Sequence, residues 1–417
     1  MNNNSKYLIN FFLYGTFFIF INSCEKHFNH NPLNDIIYKD VPQIKSIVEN
    51  LEKHNLQIRY TQIDTTNNNK IELRTYSFQE NNEVYFYPAS TVKLPIVILT
   101  LEKLRQLKKA GINISGNTPF HIYDRNGNPI KVEDSSGVNK TLTINHLIKK
   151  IFLISDNNAY NYLFDFLGKD SINSGLKKRG IINSQIHHKF LLNGDNVNTW
   201  SYFFFKNKDT LYYQKSRKTS FLESNKNLKK IIVGQGVLLD DSIQKKPMDF
   251  TYKNRIPLND LEGIILRVIF PDNFEKEKQF DLAREDYTFL KDYMSRSTLE
   301  SEEPNYNNNE KYWDSYAKFF IWGDVKGKMD NTIRSYNKVG EAYGTLSESA
   351  YIENKNLGIG FLLSATILVN KNQIYNDGVY EYESSGIPFL AELGRQIYNF
   401  EKERSKKKQA HRPVFFK

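Results

Sequence analysis

One apolar run, from Thr91 to Leu107, constrains this chain more than any other feature of its sequence. The run TVKLPIVILTLEKLRQL is apolar on almost every side as far as Glu102, so a helix formed here must be buried rather than amphipathic. Ser90 immediately precedes the run, and Lys93 lies in its first turn. The chain therefore needs a large core that encloses one central helix.

Alternating polar and apolar residues predict strands near both ends of the chain, and helical spacing predicts helices between them. This order favours an α+β fold in which the first and last strands share an antiparallel sheet flanked by helices. The predicted strands are 56–64, 71–78, a short strand 84–87, a hairpin within 201–215, and 356–369; the further helices are 143–153, 158–167, 257–270 and 386–400.

The N-terminal residues predict an export signal. Lys6 is followed by an apolar stretch from Tyr7 to Ile21, which is too short for a bilayer-spanning helix. Ile21-Asn22-Ser23-Cys24 then resembles a bacterial lipobox, whose cysteine is lipid-modified and becomes the mature N-terminus. We therefore expect a lipoprotein signal peptide over 1–24 with lipidation at Cys24, and a tether over 25–44 that holds a domain off a membrane. The alternative is a cleaved soluble signal with a chance cysteine.

Composition narrows the chemistry that the chain can perform. Cys24 is the only cysteine, which excludes an intramolecular disulfide framework, a zinc ribbon and a four-cysteine iron–sulfur cluster. Lysine and arginine exceed aspartate and glutamate by 57 to 47, and the charge of +10 suits an anionic partner. No nucleic-acid motif accompanies it, so we expect an anionic cell envelope rather than a nucleic acid. His187 and His188 lack a third ligand, and we expect neither a metal nor a cofactor.

Ser90-Thr91-Val92-Lys93 places a hydroxyl and an amine one helical turn apart, where they can share a proton. A serine is a weak nucleophile unless a base removes its proton, and a buried lysine can be that base in its neutral form. The same S-x-x-K pattern also occurs at Ser23, Ser174, Ser242, Ser335 and Ser405, but only Ser90 stands between a predicted strand and a long apolar helix.

Two further motifs supply groups that such a serine would need. Ser155-Asp156-Asn157 lies in the break between two predicted helices, where a helix cap alone would also explain these residues. Lys338-Val339-Gly340, followed by Tyr343-Gly344-Thr345, precedes the last predicted strand. This lysine can bind a carboxylate, and the glycine would let a substrate backbone approach the edge of the sheet.

In this order the three motifs resemble the S-x-x-K, S-D-N and K-T-G set of class A serine β-lactamases and penicillin-binding proteins. The resemblance implies an acyl-enzyme mechanism with Ser90 as nucleophile, Lys93 in proton transfer and Ser155 relaying a proton to the leaving nitrogen. It further implies that the substrate is held by Asn157, Lys338, Gly340 and Thr345.

Two departures from the family's pattern matter. Val339 replaces the hydroxyl residue with which the family holds the substrate carboxylate. The family's deacylating glutamate is expected about 35 residues after the second motif, yet between Ile186 and Thr199 the only carboxylate is Asp195, which is therefore the candidate base. An insertion over 190–254 also separates the motifs.

These observations predict a serine β-lactamase/DD-peptidase-like domain over 45–402. Its sheet layer comprises 45–88 and 330–402, and an all-helical subdomain covers 89–329; a solvated basic tail follows at 403–417. We predict a monomeric serine hydrolase, anchored in the cell envelope facing the periplasm or cell exterior, that acts on β-lactams. The alternatives are a D-Ala-D-Ala carboxypeptidase or transpeptidase acting on a peptidoglycan stem peptide, and a non-catalytic protein that binds peptidoglycan or senses β-lactams.

Overall fold

A computed structural model describes residues 30–65, 71–130, 132, 136, 141–190, 195–207 and 209–410. The predicted signal peptide, with Cys24, and residues 25–29 of the predicted tether lie outside these residues. From Pro32 onward the chain forms one compact unit. None of the helices in the described part of the chain is long and apolar enough to cross a membrane.

The described part of the chain contains ten α-helices and thirteen β-strands. The helices are α1 (Pro32–Ile37), α2 (Pro42–Val48), α3 (Leu51–His54), α4 (Lys93–Lys109), α5 (Ile144–Ile154), α6 (Asn157–Leu167), α7 (Lys169–Lys178), α8 (Leu258–Ile269), α9 (Arg284–Ser295) and α10 (Ile387–Ala410). The strands are β1 (Gln57–Thr65), β2 (Ile71–Phe78), β3 (Phe120–Tyr123), β4 (Ser201–Lys206), β5 (Asp209–Gln214), β6 (Ile232–Val233), β7 (Gly236–Leu239), β8 (Ser242–Gln244), β9 (Met248–Asp249), β10 (Arg334–Ala342), β11 (Thr345–Asn354), β12 (Ile359–Leu368) and β13 (Ile374–Tyr375).

The main sheet confirms the predicted α+β class. Its strand order is β10-β11-β12-β1-β2 and all its pairs are antiparallel, so the first and last long strands share one sheet. Strand β1 pairs directly with β12, with Tyr60 opposite Leu363. One face of the sheet packs on α1, α2 and α10, and α8 and α9 pack on the other.

The apolar run forms the central helix, as expected. A 3₁₀ turn over Ala89–Val92 leads into α4, whose residues from Lys93 to Glu102 are all buried. Pro95 falls in the first turn, where a missing backbone donor costs little. Helices α5, α6, α7 and α8 share the surrounding core. Ser90 therefore lies immediately before a helix whose first part, from Lys93 to Glu102, is buried.

The structure corrects four of the sequence predictions. The tether does not reach residue 44, because α1 and α2 bury apolar residues such as Leu33 and Ile44 against α10. The basic tail does not begin at 403, because α10 continues to Ala410; lysine, arginine and glutamate favour helices, and Arg404 pairs with Asp64 of β1 at 2.5 Å.

The other two corrections concern strands. The subdomain is not all helical, since strands β3–β9 form three small sheets there together with β13. The predicted strand 84–87 is an irregular segment with one parallel bridge, from Val84 to Lys229 of the insertion. Its backbone groups bond to the insertion instead of to a neighbouring strand of the main sheet, with Tyr85 N donating to Lys229 O at 2.9 Å.

Candidate active site

Ser90 lies in the 3₁₀ turn that precedes α4, and its side chain is half-buried. The residue before it, Ala89, has a φ of 47°, in the left-handed region that side chains other than glycine rarely adopt. Lys93 follows one turn later, and its backbone N–H donates to Ser90 O. Local backbone strain of this kind persists only where the surrounding structure holds it, so the Ser90 turn is rigidly fixed.

Strand β10 lies directly against the Ser90 turn at Gly340. A Cβ atom at this position would lie 2.5 Å from Pro88 O and 3.0 Å from Ser90 N, so no side chain fits. The sequence analysis assigned this glycine to substrate approach. The structure gives it an additional reason to be glycine, since the enzyme's own backbone occupies the space of a side chain.

Two buried lysines meet at Ser155. Lys93 Nζ donates to Asn157 Oδ1 at 2.7 Å and to Ser155 Oγ at 3.2 Å, and it also donates to Ser155 O. Lys338 Nζ donates to Ser155 Oγ at 2.9 Å and to Val339 O at 2.9 Å. The structure thus brings together four side chains from the three motifs at the N-terminal end of α4, those of Lys93, Ser155, Asn157 and Lys338.

The break between α5 and α6 orients the second motif. Ser155 ends α5 in the left-handed conformation, with φ 54° and ψ 40°. Asp156 caps α6, because its Oδ1 accepts a hydrogen bond of 2.7 Å from Ala159 N. Of the three residues Ser155-Asp156-Asn157, Asp156 is thus the one that serves as a helix cap. The two residues on either side of the cap, Ser155 and Asn157, both turn towards Lys93.

Burial and mutual repulsion lower the pKa of both site lysines. Burial lowers the pKa of Lys93 well below its ordinary value, the charge of Lys338 lowers it further, and Asp156 opposes the change. Burial, aided by the charge of Lys318, lowers the pKa of Lys338 to about 7, against the attraction of Glu348. Two ammonium groups sharing one hydroxyl repel each other, so each of these lysines loses its proton more readily than an exposed lysine does. A neutral Lys93 can accept the proton of Ser90.

Phe190 occupies the place where a deacylating carboxylate was expected. It stands 35 residues after Ser155, and its ring centroid lies 5.2 Å from Lys93 Nζ. The backbone of Phe190 is clamped by Asn161 of α6, whose Oδ1 accepts from Phe190 N at 2.7 Å and whose Nδ2 donates to Phe190 O at 3.4 Å. Among the described residues no carboxylate forms an ion pair with Lys93. On the side of Phe190, Lys93 therefore faces an aromatic ring and not a carboxylate.

Asp195 caps an exposed turn. Its Oδ1 accepts from Val197 N and Asn198 N, both at 2.9 Å, and its Oδ2 accepts from Asn198 Nδ2 at 2.8 Å. Both carboxylate oxygens are thus used by the turn. The structure therefore gives no support to Asp195 as a deacylating base. Aspartate is common in turns, where its side chain accepts hydrogen bonds from nearby backbone N–H groups.

Thr345 lies apart from the two lysines. It begins β11, pairs with Ala342, and lines a cavity of about 660 Å³ together with His54, Tyr85 and Tyr375. Ser90, Lys93, Ser155, Asn157 and Lys338 are not among the residues that line this cavity. The structure therefore does not bring Thr345 into the cluster that the other site residues form.

The rings of the two adjacent histidines lie close to neighbouring polar groups. His187 Nε2 lies 3.2 Å from Gln185 Oε1, and His188 Nδ1 lies 2.9 Å from Lys189 O. Within the described ranges, no three His, Cys, Asp or Glu side chains are grouped as ligands for a metal ion.

Four residues around the site were missed by the sequence analysis: Asn161, Phe190, Lys318 and Glu348. For Lys318 a signal exists, since it is a lone charge within the apolar stretch Tyr316–Trp322. For Phe190 the signal was its distance from Ser155 along the chain. Asn161 and Glu348 resemble ordinary polar residues of a helix and a strand, and only the folded chain distinguishes them.

A serine at the start of a buried helix, a lysine one turn later, and a second serine shared between two lysines are the groups that a serine hydrolase of the acyl-enzyme type requires. The chain belongs to the β-lactamase enzyme family, whose sequence model matches residues 41–254, just over half of the 417 residues. The match includes Ser90, Lys93, Ser155 and Asn157 and ends before Lys338. The protein is therefore a β-lactamase-like serine hydrolase.

Several solved structures are similar to this chain. The β-lactamase from Sphaerobacter thermophilus is 14% identical, with 85% of this chain and 94% of that chain covered and a TM-score of 0.44. PBP-A is 12% identical, with 87% and 95% covered and a TM-score of 0.48. L2 in complex with relebactam is 13% identical, with 85% and 94% covered and a TM-score of 0.46. No curated protein matches the sequence.

Proposed function

We propose that the protein is acylated by β-lactams at Ser90 and releases the acyl group slowly. The observation that carries this proposal is the cluster in which Lys93 and Lys338 both donate to Ser155 Oγ beside the Ser90 turn. This cluster supplies a base, a proton relay and a positive charge on one side of one nucleophile, which are the groups that amide cleavage through an acyl-enzyme requires.

Acylation begins when neutral Lys93 takes the proton of Ser90 and Ser90 Oγ attacks the β-lactam carbonyl carbon. The backbone N–H of Ser90, at the start of a helix, donates to the oxyanion that forms. When the carbon–nitrogen bond breaks, Ser155 passes its proton to the leaving nitrogen and regains one from Lys93. Lys338 complements the substrate carboxylate, and Asn157 orients the substrate amide. The product is an ester between Ser90 and the opened lactam.

Deacylation requires a base that activates water on the ester. Phe190 places an aromatic ring near Lys93 where the family places a carboxylate, and an aromatic ring cannot take a proton from water. The loss of a positioned general base typically costs about 10²- to 10⁴-fold in rate. We therefore expect the acyl-enzyme to persist.

A D-alanyl-D-alanine peptidase is the second candidate function, and Phe190 favours it as well. Such an enzyme forms the same ester from a peptidoglycan stem peptide and has no need of rapid β-lactam hydrolysis. The two candidates differ in the natural acyl donor, so a stem-peptide substrate discriminates between them.

The location of the protein is also a proposal. The apolar leader and its single cysteine support export and lipidation at Cys24, which would anchor a monomer in the cell envelope. Mass spectrometry of the detergent-extracted protein tests this, since a diacylated Cys24 adds the mass of two acyl chains and Cys24→Ser prevents it. An N-terminus of unmodified mass would contradict the anchor.

Intact-mass spectrometry over time with benzylpenicillin tests the reaction itself, with the Ser90→Ala variant as its control. We expect one adduct per chain that survives long after free drug is removed, and none in the variant. An adduct that clears with rapid turnover would contradict slow release, and an adduct that survives Ser90→Ala would contradict the nucleophile. The absence of any adduct would leave the non-catalytic alternative.

A further inference from the structure

A buried row of polar side chains lies behind Lys338, on the other side of the sheet. Lys318 Nζ donates to Asn337 Oδ1 at 2.5 Å, to Ser335 O at 2.9 Å and to Met294 O at 2.6 Å. Asn337 Nδ2 in turn donates to Glu348 Oε1, and Glu348 Oε2 accepts from Phe320 N at 2.6 Å. The row therefore links a lysine, an amide and a carboxylate.

The pairing of β10 with β11 places this row next to the active site. Lys338 and Gly340 point to the face of the sheet that carries Ser155. Their neighbours along the strand, Asn337 and Val339, point to the opposite face, as strand alternation requires. Glu348 of β11 is directly opposite Val339 of β10, the residue that follows Lys338. Groups on the two faces are thus separated only by the strand itself.

Lys318 and Glu348 are both almost completely removed from solvent. A buried charge is tolerated only when it is paired or hydrogen-bonded, and each of these groups is linked to the other through Asn337. Burial lowers the pKa of Lys318 to about 7, and Glu348 opposes this change. Burial also raises the pKa of Glu348 to about 7, against the attraction of Lys318.

The charges around Lys338 come from several elements. Lys93 lies on α4. Lys318 precedes β10 and Glu348 lies on β11, and the side chains of both belong to the buried row on the other face of the sheet. Glu300 and Arg334 act on Lys318 from the surface, where they pair with each other at 2.7 Å. Glu348 is therefore the carboxylate that attracts Lys338, and Lys318 is a cation that repels it.

We propose that Glu348 and Lys318 are positioning residues that act on Lys338 through the sheet, holding β10 in register and setting the charge with which Lys338 meets a substrate carboxylate. This inference rests on the proposed acylation at Ser90 and adds to it a control of carboxylate recognition. Neither residue touches substrate.

The two residues predict opposite changes in the pH dependence of acylation. Acylation needs Lys338 protonated, so its efficiency falls as the pH rises through the pKa of Lys338. Glu348→Gln removes the attraction and should move this alkaline limb to lower pH. Lys318→Met removes the repulsion and should move it to higher pH. If the midpoint of the alkaline limb falls by about one pH unit, the acylation efficiency at pH 8 should fall roughly tenfold.

The test measures the rate of Ser90 acylation by benzylpenicillin between pH 5 and 10 for the wild type, both single variants and the double variant. The double variant should have a midpoint between those of the single variants. Glu353→Gln is the matched control, because Glu353 also lies on β11 and accepts a 2.7 Å hydrogen bond from Tyr336 of β10 but stands apart from the buried row. Its alkaline limb should not move.

Destabilisation alone cannot produce shifts in opposite directions. Lys318→Met leaves the carboxylate of Glu348 buried without its lysine partner, which can prevent folding. In that event the alkaline limbs of Glu348→Gln and of the double variant, which both lack this carboxylate, test the inference. Alkaline limbs that coincide with that of the wild type, in folded variants, would overturn the inference.

NMR titration of ¹³C-labelled lysine side chains, with the Lys338 signal assigned through Lys338→Arg, separates the inference from the proposed function. If the wild type forms no adduct, the proposed acylation fails, yet the titration midpoint of Lys338 still reports on the row. A lower midpoint in Glu348→Gln would then support the role of Glu348, and an unchanged midpoint would refute it.

Discussion

Lys338 Nζ donates a 2.9 Å hydrogen bond to Ser155 Oγ, although the two residues are 183 positions apart in the chain. The contact joins the sheet to the helical part and sets a second cation beside Lys93. The positive charge of Lys338 has two consequences. It lowers the pKa of Lys93, and in the proposed function it attracts a substrate carboxylate.

Lys338→Met should therefore weaken acylation and change its pH dependence. A hydrogen bond to a charged group contributes about 1.5–3 kcal/mol, so acylation efficiency should fall roughly 10- to 100-fold. Because the repelling charge is gone, the pKa of Lys93 should rise, and the acid limb of the profile should move to higher pH. Stopped-flow acylation across the pH range measures both effects. Lys338→Arg keeps the charge, so an acid limb that moves equally in this variant would contradict the electrostatic explanation.

Gly340→Ala should distort the Ser90 turn. The added methyl would lie 2.5 Å from Pro88 O, and overpacking of this kind costs about 1–3 kcal/mol. We expect a lower free energy of unfolding and a loss of acylation larger than the stability change explains. Gly327→Ala is the control, since the nearest atom to its added methyl would be at 3.7 Å. Denaturant unfolding and adduct formation check both variants, and full activity in Gly340→Ala would contradict the close contact.

The positions of the candidate site residues could be predicted from the sequence because each occurs in a short motif next to a clear element boundary. Ser90 precedes the apolar run and Ser155 lies between two helices, so their positions in the fold follow from local patterns. Local patterns also predicted β1 from its alternation and β12 from its strand-type composition, and hence the shared sheet.

Other features depend on contacts that no local pattern records. Glu348 becomes a buried partner of Lys318 only when β11 pairs with β10, and Phe190 meets Lys93 only because Asn161 of α6 clamps its backbone. The strand content between α4 and α8 was underestimated because β6–β9 have two to four residues each, too few to show a period.

His187 and His188 should make the protein sensitive to acid. Burial lowers the pKa of each to about 4, whereas an unfolded histidine titrates near 6.5. Both are thus neutral in the folded state, and the stability they confer is complete above pH 6.5 and is lost as the pH falls towards 4. The loss is about 1.4 kcal/mol per pH value for each histidine within that window.

Thermal unfolding between pH 4 and 8 measures this loss. A His187→Gln/His188→Gln double variant should show a flatter dependence of Tm on pH than the wild type below pH 6.5. His121, which is exposed, provides the control, so His121→Gln should leave the slope unchanged. Equal slopes in the wild type and the double variant would show that other groups cause the acid sensitivity.

Phe190→Glu should convert slow release into turnover. Asn161 binds the backbone of residue 190, not its side chain, so a glutamate can take the same place, and its carboxylate would lie near Lys93. A carboxylate there can activate water for attack on the Ser90 ester, and a positioned general base contributes about 10²- to 10⁴-fold. The lifetime of the benzylpenicillin adduct should shorten by at least tenfold. Because a carboxylate raises the pKa of Lys93, the acid limb of adduct formation should move to higher pH. Phe190→Leu removes the ring without adding a base, so it separates the two causes of slow release. If the leucine variant releases the acyl group as fast as the glutamate variant, the ring blocks water by its bulk, and the missing base is not what limits deacylation.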